Sequence, residues 1–423
     1  MARALRITLY TSLIFLAGCS SLAPFLTSST PTSVVVTSSP QATPSPSTPV
    51  PDATATSHPA DEPRILRVWV PPQFDPNAGT ESADLLKKRL ADFETRHSGL
   101  EIEVRIKAEE GEANILNALS VTSMAAPSAL PDLVALSRPA LESAALKGLL
   151  HPVDGLSTSL QDPDWYGYAR QLGHIENIGY GLPFAGNVFA LVYRSDLGEF
   201  ANWDEILASK GVLAFPAGDP QGLVGLSLYA SAGGEIVNSQ GLPTLDQTVL
   251  TRLLSLIEHG LGASMLSPSL SIVGTDAQAL QLYRERNASM LITWASNYRQ
   301  SSDEQIMSLP GLDEASYSFA TGWMWSLAGS NAENQALAVE LAEYLIADEF
   351  LGEWTRAAGY LPTRPSSVDG QDPTLAALIE SAKPIPSNDV LSVLGQLMQD
   401  AMIRVLNGER PAVVAGSVVD SLK

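Results

Sequence analysis

The sequence predicts an α/β protein of two lobes carried behind a tethered N-terminus. Three observations lead there. Strand-like and helix-like segments alternate from about residue 64 onward, that stretch runs to Lys423 and suits two lobes of ordinary size, and the residues before it cannot build a core.

The first residues, Met1-Ala2-Arg3-Ala4-Leu5-Arg6, are basic, and an apolar stretch follows from Ile7 to Ala17. That stretch is shorter than the roughly 20 residues a spanning helix needs. A basic start, a short apolar run and small residues before a cut site describe a secretion signal, 1–18. The site itself, Leu16-Ala17-Gly18-Cys19, resembles the lipobox of bacterial lipoproteins, which implies cleavage before Cys19, acylation of that cysteine and an extracytoplasmic chain anchored by N-terminal lipid. Cys19 is the only cysteine, so no disulfide forms within the chain and stability has to come from core burial. Residues 19–63 are rich in Ser, Thr and Pro and read as a disordered stalk that offers hydroxyls for O-linked sugar. At ~3 Å per residue such a stalk reaches at most about 130 Å.

In the globular part, Ile65–Val70 reads as a strand. Glu81–His97 carries Leu85, Leu86, Leu90 and Phe93 at helical spacing with Ser82 as its N-cap. Ile102, Val104 and Ile106 alternate as a second strand, and the βαβ order points to a parallel sheet covered by helices. Ala113–Ala126 is helical in character, Pro131–Leu136 is a buried strand, and the helix Pro139–Leu146 ends at Gly148. Later, Gly211–Pro216 and Ser289–Trp294 read as strands, and 245–259, 275–286, 334–347 and 390–406 as helices. No fixed-period repeat stands out.

The formal net charge of −21 becomes −23 once the signal takes Arg3 and Arg6 with it. An acidic surface keeps the chain soluble and disfavours phosphate backbones, so nucleic acid is excluded as a partner.

Several passages, in order, resemble the family 1 extracellular solute-binding proteins, the group of the maltose-binding protein and its sugar-binding relatives that feed ATP-driven importers. They are Pro131-Asp132-Leu133-Val134 with Ala144–Asp154; Tyr180-Gly181-Leu182-Pro183 with Leu191-Val192-Tyr193 and Asp196-Leu197; Asn202–Leu207, which holds Trp203-Asp204-Glu205; Ala288–Trp294; Gly322-Trp323; and Gly359–Arg364. The chain departs from the family pattern at Arg194, where Asn is usual, and at Thr321, where a second glycine is usual. The resemblance implies a periplasmic-binding-protein fold whose discontinuous lobes, 64–184 with 309–356 and 185–308 with 357–423, are joined by a hinge and close on a ligand. It implies a monomeric receptor without cofactor or metal that captures a mono- or oligosaccharide and hands it to the membrane permease of an ABC importer.

A sugar presents apolar C–H faces to aromatic rings and hydroxyls to Asp, Asn, Glu and Arg. The ligand-binding candidates nearest the family's cleft are Trp294 with Asn297 and Tyr298, Trp323 and Trp325, Phe184 beside Asn187, Trp69 at the end of the first strand, and Arg364. Trp165, Trp203 and Trp354 read as packing, at least one of Trp323 and Trp325 is expected in the core, and Arg364 either bridges lobes or pairs with an acid.

Two other classes compete. A secreted carbohydrate-active enzyme would need paired carboxylates, but Glu109-Glu110, Asp204-Glu205 and Asp303-Glu304 stand in loops or helix starts, where solvated charge explains them. The five histidines, at 58, 97, 151, 174 and 259, are scattered, and no nucleophile or metal motif is present. A non-transport sensor or surface-binding module would use the same fold.

Overall fold

A computed structural model describes residues 63–298, 301–312, 316–329, 331–368 and 373–422. The secretion signal, Cys19 and the stalk up to Glu62 lie outside the described residues. In chain order the elements are β1 (Arg64–Val70), α1 (Glu81–Arg96), β2 (Leu100–Ile106), α2 (Ile115–Ala125), β3 (Leu133–Ser137), α3 (Arg138–Leu146), α4 (Gly167–Leu172), β4 (His174–Ile175), β5 (Ile178–Gly179) and β6 (Gly181–Arg194). There follow α5 (Trp203–Ala208), β7 (Leu213–Ala214), α6 (Leu223–Ser231), α7 (Gln247–Gly262), α8 (Asp276–Arg284), β8 (Met290–Trp294), β9 (Glu304–Ser308) and β10 (Ser318–Leu327). The chain closes with α9 (Ala332–Leu345), α10 (Asp348–Ala358), α11 (Pro373–Ser381), β11 (Ala382–Pro384), α12 (Asn388–Leu406) and α13 (Pro411–Asp420).

The βαβ pattern forms as read: β1 pairs in parallel with β2 across α1, and with β3. The parallel part expected from the βαβ order is β2-β1-β3, and the sheet as a whole is mixed. Its order is β2-β1-β3-β10-β6-β8-β7, with β11 on β10 and β9 on β6. The strand β10 runs antiparallel to β3 and β6, and β6 runs antiparallel to β8 and β9. The antiparallel pairings of this sheet all involve β6 or β10, the strands with residues in both cores.

Helix ends follow side-chain chemistry. Thr80, not Ser82, caps α1 by accepting from the Ala83 N–H at 3.2 Å, because Glu81 already has helical backbone and Ser82 lies inside the first turn. The buried face is Ala83, Leu86, Leu90 and Phe93, the predicted stripe with Ala83 in place of the half-buried Leu85. Gly148 closes α3 with φ 67°, and the backbone bonds Gly148 N to Ala145 O and Leu149 N to Ala144 O complete a Schellman motif.

Two hydrophobic cores result. The first gathers β1 to β3, α1, α3, α9 and α10 around Leu66, Phe93, Leu136, Phe184 and Trp354. The second gathers β8 and α6 to α8 with α12 and α13 around Phe215, Tyr229, Leu254 and Leu394. The strand β6 belongs to both: Leu182, Phe184 and Val188 pack in the first core, and Phe189, Leu191 and Tyr193 in the second. Likewise in β10, Phe319 joins the second core and Trp323 and Trp325 the first. Leu361, Leu378 and Ala382 pack with the first core and Leu309 with the second. A chain buried on both faces along its length reads as a nearly continuous apolar run, which is what Leu182–Tyr193 is apart from Asn187.

Candidate functional site

Where the two cores face each other the structure holds a cavity of about 960 Å³. Three segments make most of its wall. The turn Pro72–Phe74 and the start of α1 bring Gln73, Thr80 and Ser82; the end of α10 and the segment after it bring Arg356 and Tyr360; the turn after β8 brings Ser296, Asn297 and Tyr298, with Ile306 from β9.

The α10 wall depends on a helix stop. Gly359 takes the left-handed conformation, φ 77°, and the Tyr360 N–H turns back to the Thr355 carbonyl at 2.9 Å. That return lays the Tyr360 ring parallel to Trp354, centroids 6.3 Å apart, and leaves the ring partly exposed to the cavity.

The opposite wall is held by hydrogen bonds from behind. Asn297 Nδ2 donates to both Asp276 Oδ2 and Thr293 Oγ1, and Thr293 Oγ1 in turn donates to Asp276 Oδ1 at 2.7 Å. Both amide hydrogens of Asn297 are thereby used, and its Oδ1 remains as an acceptor. Ser296 is fixed by Asn187, whose Nδ2 donates to Ser296 Oγ at 2.9 Å and whose Oδ1 accepts from the Ser296 N–H at 3.1 Å. Gln73 Nε2 donates to Glu109 Oε2 at 3.0 Å.

Burial pushes the Asp276 carboxyl above its ordinary range, against the opposing effect of the Thr293 and Asn297 donors. A carboxyl raised by folding binds more protons in the native than in the unfolded chain between its two pKa values, so the stability it contributes falls as pH rises through that interval. The stability of wild type relative to Asp276→Asn should therefore decline as pH rises above ~4, the usual carboxylate value. Urea unfolding of both chains across that range checks this; a flat difference would show Asp276 to be unperturbed.

Of the residues nominated from sequence, Asn297 and Tyr298 line the cavity. Trp294 adjoins them, half-buried and stacked on Phe189 with centroids 3.9 Å apart, and Asn187 stands behind Ser296. The others do not line it. Trp323 and Trp325 are both buried, because residues two apart on a strand share a face, so alternation does not separate them as expected. Trp323 meets Phe74 edge-on at 5.1 Å and Trp325 stacks on Phe184 at 4.5 Å, which makes Phe184 a core ring as well. Trp69 is buried under the Lys107 ammonium, 4.4 Å from its ring centroid. Arg364 is buried against Asp162 at 3.2 Å and over the Trp165 ring at 4.3 Å. Trp165, Trp203 and Trp354 are buried, as read. Gln73, Thr80, Ser296, Arg356 and Tyr360 escaped the sequence reading, since only Tyr360 sits in a passage with a visible signal, a glycine helix stop.

A cavity walled by two α/β cores that share crossing strands is the geometry of a binding cleft. Over residues 88–381 the sequence matches the family described as bacterial extracellular solute-binding protein. The chain belongs to that family. Among solved structures, this solute-binding protein is similar to maltose-bound T. maritima MalE3, at 16% identity and TM-score 0.66 over 85% of this chain and 98% of that one. It is similar to a cyclo/maltodextrin-binding protein complexed with maltotetraose, at 20% identity and TM-score 0.68 over 86% and 97%. It is also similar to the Thermus thermophilus maltotriose-binding protein, at 19% identity and TM-score 0.62 over 84% and 98%. No curated protein matches it. At these identities the likeness establishes the fold, a two-lobed periplasmic-binding-protein architecture. Among the described residues no helix is long and apolar enough to cross a membrane.

Proposed function

We propose that this solute-binding protein is the receptor of an ABC importer, and that it captures a carbohydrate between its lobes and delivers it to a membrane permease. The observation that carries this is the cleft: about 960 Å³, at the upper end of the 300–1,000 Å³ usual for small-molecule sites, with a partly exposed ring on one wall and oriented amides on the other. That volume admits more than one sugar ring. Tyr360 offers an aromatic face, and the Asn297 Oδ1 and the hydroxyls of Thr80 and Ser82 suit a belt of sugar hydroxyls. The relatives of similar fold that carry maltose, maltotriose and maltotetraose support the same ligand class.

In this reading the site works by binding alone and carries out no reaction. The lobes follow the two cores: the first takes about 64–188 and 320–384, the second about 189–319 and 385–422, so that 185–188, 309–319 and 357–384 change sides relative to the division read from sequence. The crossing strands β6 and β10 form the hinge, and the protein acts as a monomer.

Thermal-shift measurement across mono- and oligosaccharides, amino acids and polyamines tests the ligand class. Stabilisation by a saccharide is expected, and stabilisation by amino acids or polyamines alone would sink the carbohydrate reading. The lipid anchor at Cys19 and the stalk keep the receptor within reach of its permease. Cys19→Ala is expected to move the protein from the membrane fraction to the soluble one with ligand affinity unchanged; retention at the membrane would remove the anchor from the account.

A further inference from the structure

Among the described residues that line the cleft, Arg356 alone carries a charge, and none is acidic. The chain that surrounds it has 46 acidic residues against 25 basic ones. We propose that the solute is an anionic saccharide, a sugar acid or an oligosaccharide containing one, whose carboxylate is held by the Arg356 guanidinium. This inference rests on the carbohydrate reading above and narrows it.

Arg356 lies in the last turn of α10, exposed, and no described side chain pairs with it. The buried Arg364 and the half-buried Arg138, by contrast, are engaged: Arg364 faces Asp162, Asp164 and Asp348, and Arg138 faces Glu142. The guanidinium presents a planar fork that matches a carboxylate with two parallel N–H···O bonds. Two carboxylates approach the wall without lining it. Asp276 stands behind Asn297, and Glu109 beside Gln73, each spending an oxygen on the amide in front of it. Burial raises the carboxyl of the half-buried Asp276.

The amides then set the polarity of the ligand. Because Asn297 has both N–H groups committed to Asp276 and Thr293, it meets the solute with an acceptor oxygen. An acceptor suits a hydroxyl and repels a carboxylate. The solute's acid is therefore directed to the α10 wall and its hydroxyls to the wall after β8. A cation at a helix C-terminus is also favourable for the helix by itself, so only an effect that depends on ligand charge distinguishes binding from helix stabilisation.

The experiment is calorimetric titration of the full-length chain, wild type and Arg356→Gln, with uronate- and sialate-containing oligosaccharides and with neutral oligosaccharides of the same length, at low and high salt. Wild type is expected to bind an acidic oligosaccharide at least about tenfold tighter than its neutral counterpart, the size of a charge-assisted pair. That preference should shrink with salt and vanish in Arg356→Gln, while the melting temperature without ligand stays within about 1 °C. Neutral oligosaccharides bound as tightly as the acidic ones, or a preference that survives in Arg356→Gln, would overturn the inference and leave the carbohydrate reading intact. Binding of no saccharide by wild type would remove both.

Discussion

Glu142→Ala should lower the free energy of unfolding by about 3–5 kcal/mol, the usual cost of leaving one member of a buried ion pair without its partner. Glu142 is buried on α3, and its Oε2 accepts from Arg138 Nη1 at 2.8 Å one helical turn earlier. Its other oxygen accepts from the Asn388 N–H at 2.8 Å, at the first turn of α12, where a carboxylate also meets the positive end of the helix dipole. The Asn388 side chain reaches back, donating from Nδ2 to the Pro139 carbonyl at 2.9 Å and Ser143 Oγ at 3.0 Å. The helix α3 packs in the first core and α12 in the second, so this network fastens one core to the other. Removing the carboxylate strands the Arg138 guanidinium, whose pKa burial already lowers. Two further variants separate charge from shape. Glu142→Gln keeps an acceptor for Asn388 and should lose less, and the double change Arg138→Met with Glu142→Leu should recover most of the loss. Urea unfolding reads all three; a Glu142→Ala loss under 1 kcal/mol would show that water reaches the pair.

Phe184→Ala should cost a similar amount, about 3–5 kcal/mol, for a different reason: a cavity in a close-packed aromatic cluster. The Phe184 ring stacks on Trp325 at 4.5 Å and 19°, meets Phe74 edge-on at 5.2 Å and tilts against Trp354 at 5.6 Å. Each such pair adds about 0.5–1.5 kcal/mol beyond its buried area. Phe74 also touches Trp323 and Tyr360, so the cluster forms a rigid backing from the sheet out to the cleft wall. Its members are spread over the turn before α1, β6, β10 and α10, and the truncation loosens four segments at once. Chain that remains folded should bind solute nearly as well as wild type, since the ring faces the core. Lost affinity without lost stability would place Phe184 against the ligand and reverse that assignment.

Much of the architecture could be read from local pattern. The α1 stripe, the β1-α1-β2 unit, the strand β8 and the α3 stop at Gly148 each follow from spacing or from one residue's backbone preference, which act over a few residues. Order along the chain, with the resemblance of its passages, was enough for the family, the two lobes and a cleft between them. It also named Asn297 and Tyr298, because both follow a recognisable strand end at Trp294.

Other features depend on contacts between residues far apart in sequence. Strand direction in the middle of the sheet is decided by β10 entering beside β3 and β6, well over a hundred residues from either end of that pairing's partners. Trp69, Phe184, Trp323 and Trp325 look like sugar platforms as residue types, but they are core rings because Phe74 and Trp354 arrive to cover them. The reverse holds for Gln73, Ser296, Arg356 and Tyr360, ordinary in sequence and brought to one cavity from three distant segments. Hydrophobicity and periodicity specify that a side chain is to be buried or turned outward; which other segment it meets depends on how both cores pack. For this protein the sequence alone determined the elements, the family and the acidic character of the surface. Only the tertiary structure decided which aromatics line the cavity, and left Arg356 as the one charge among the described residues of its wall.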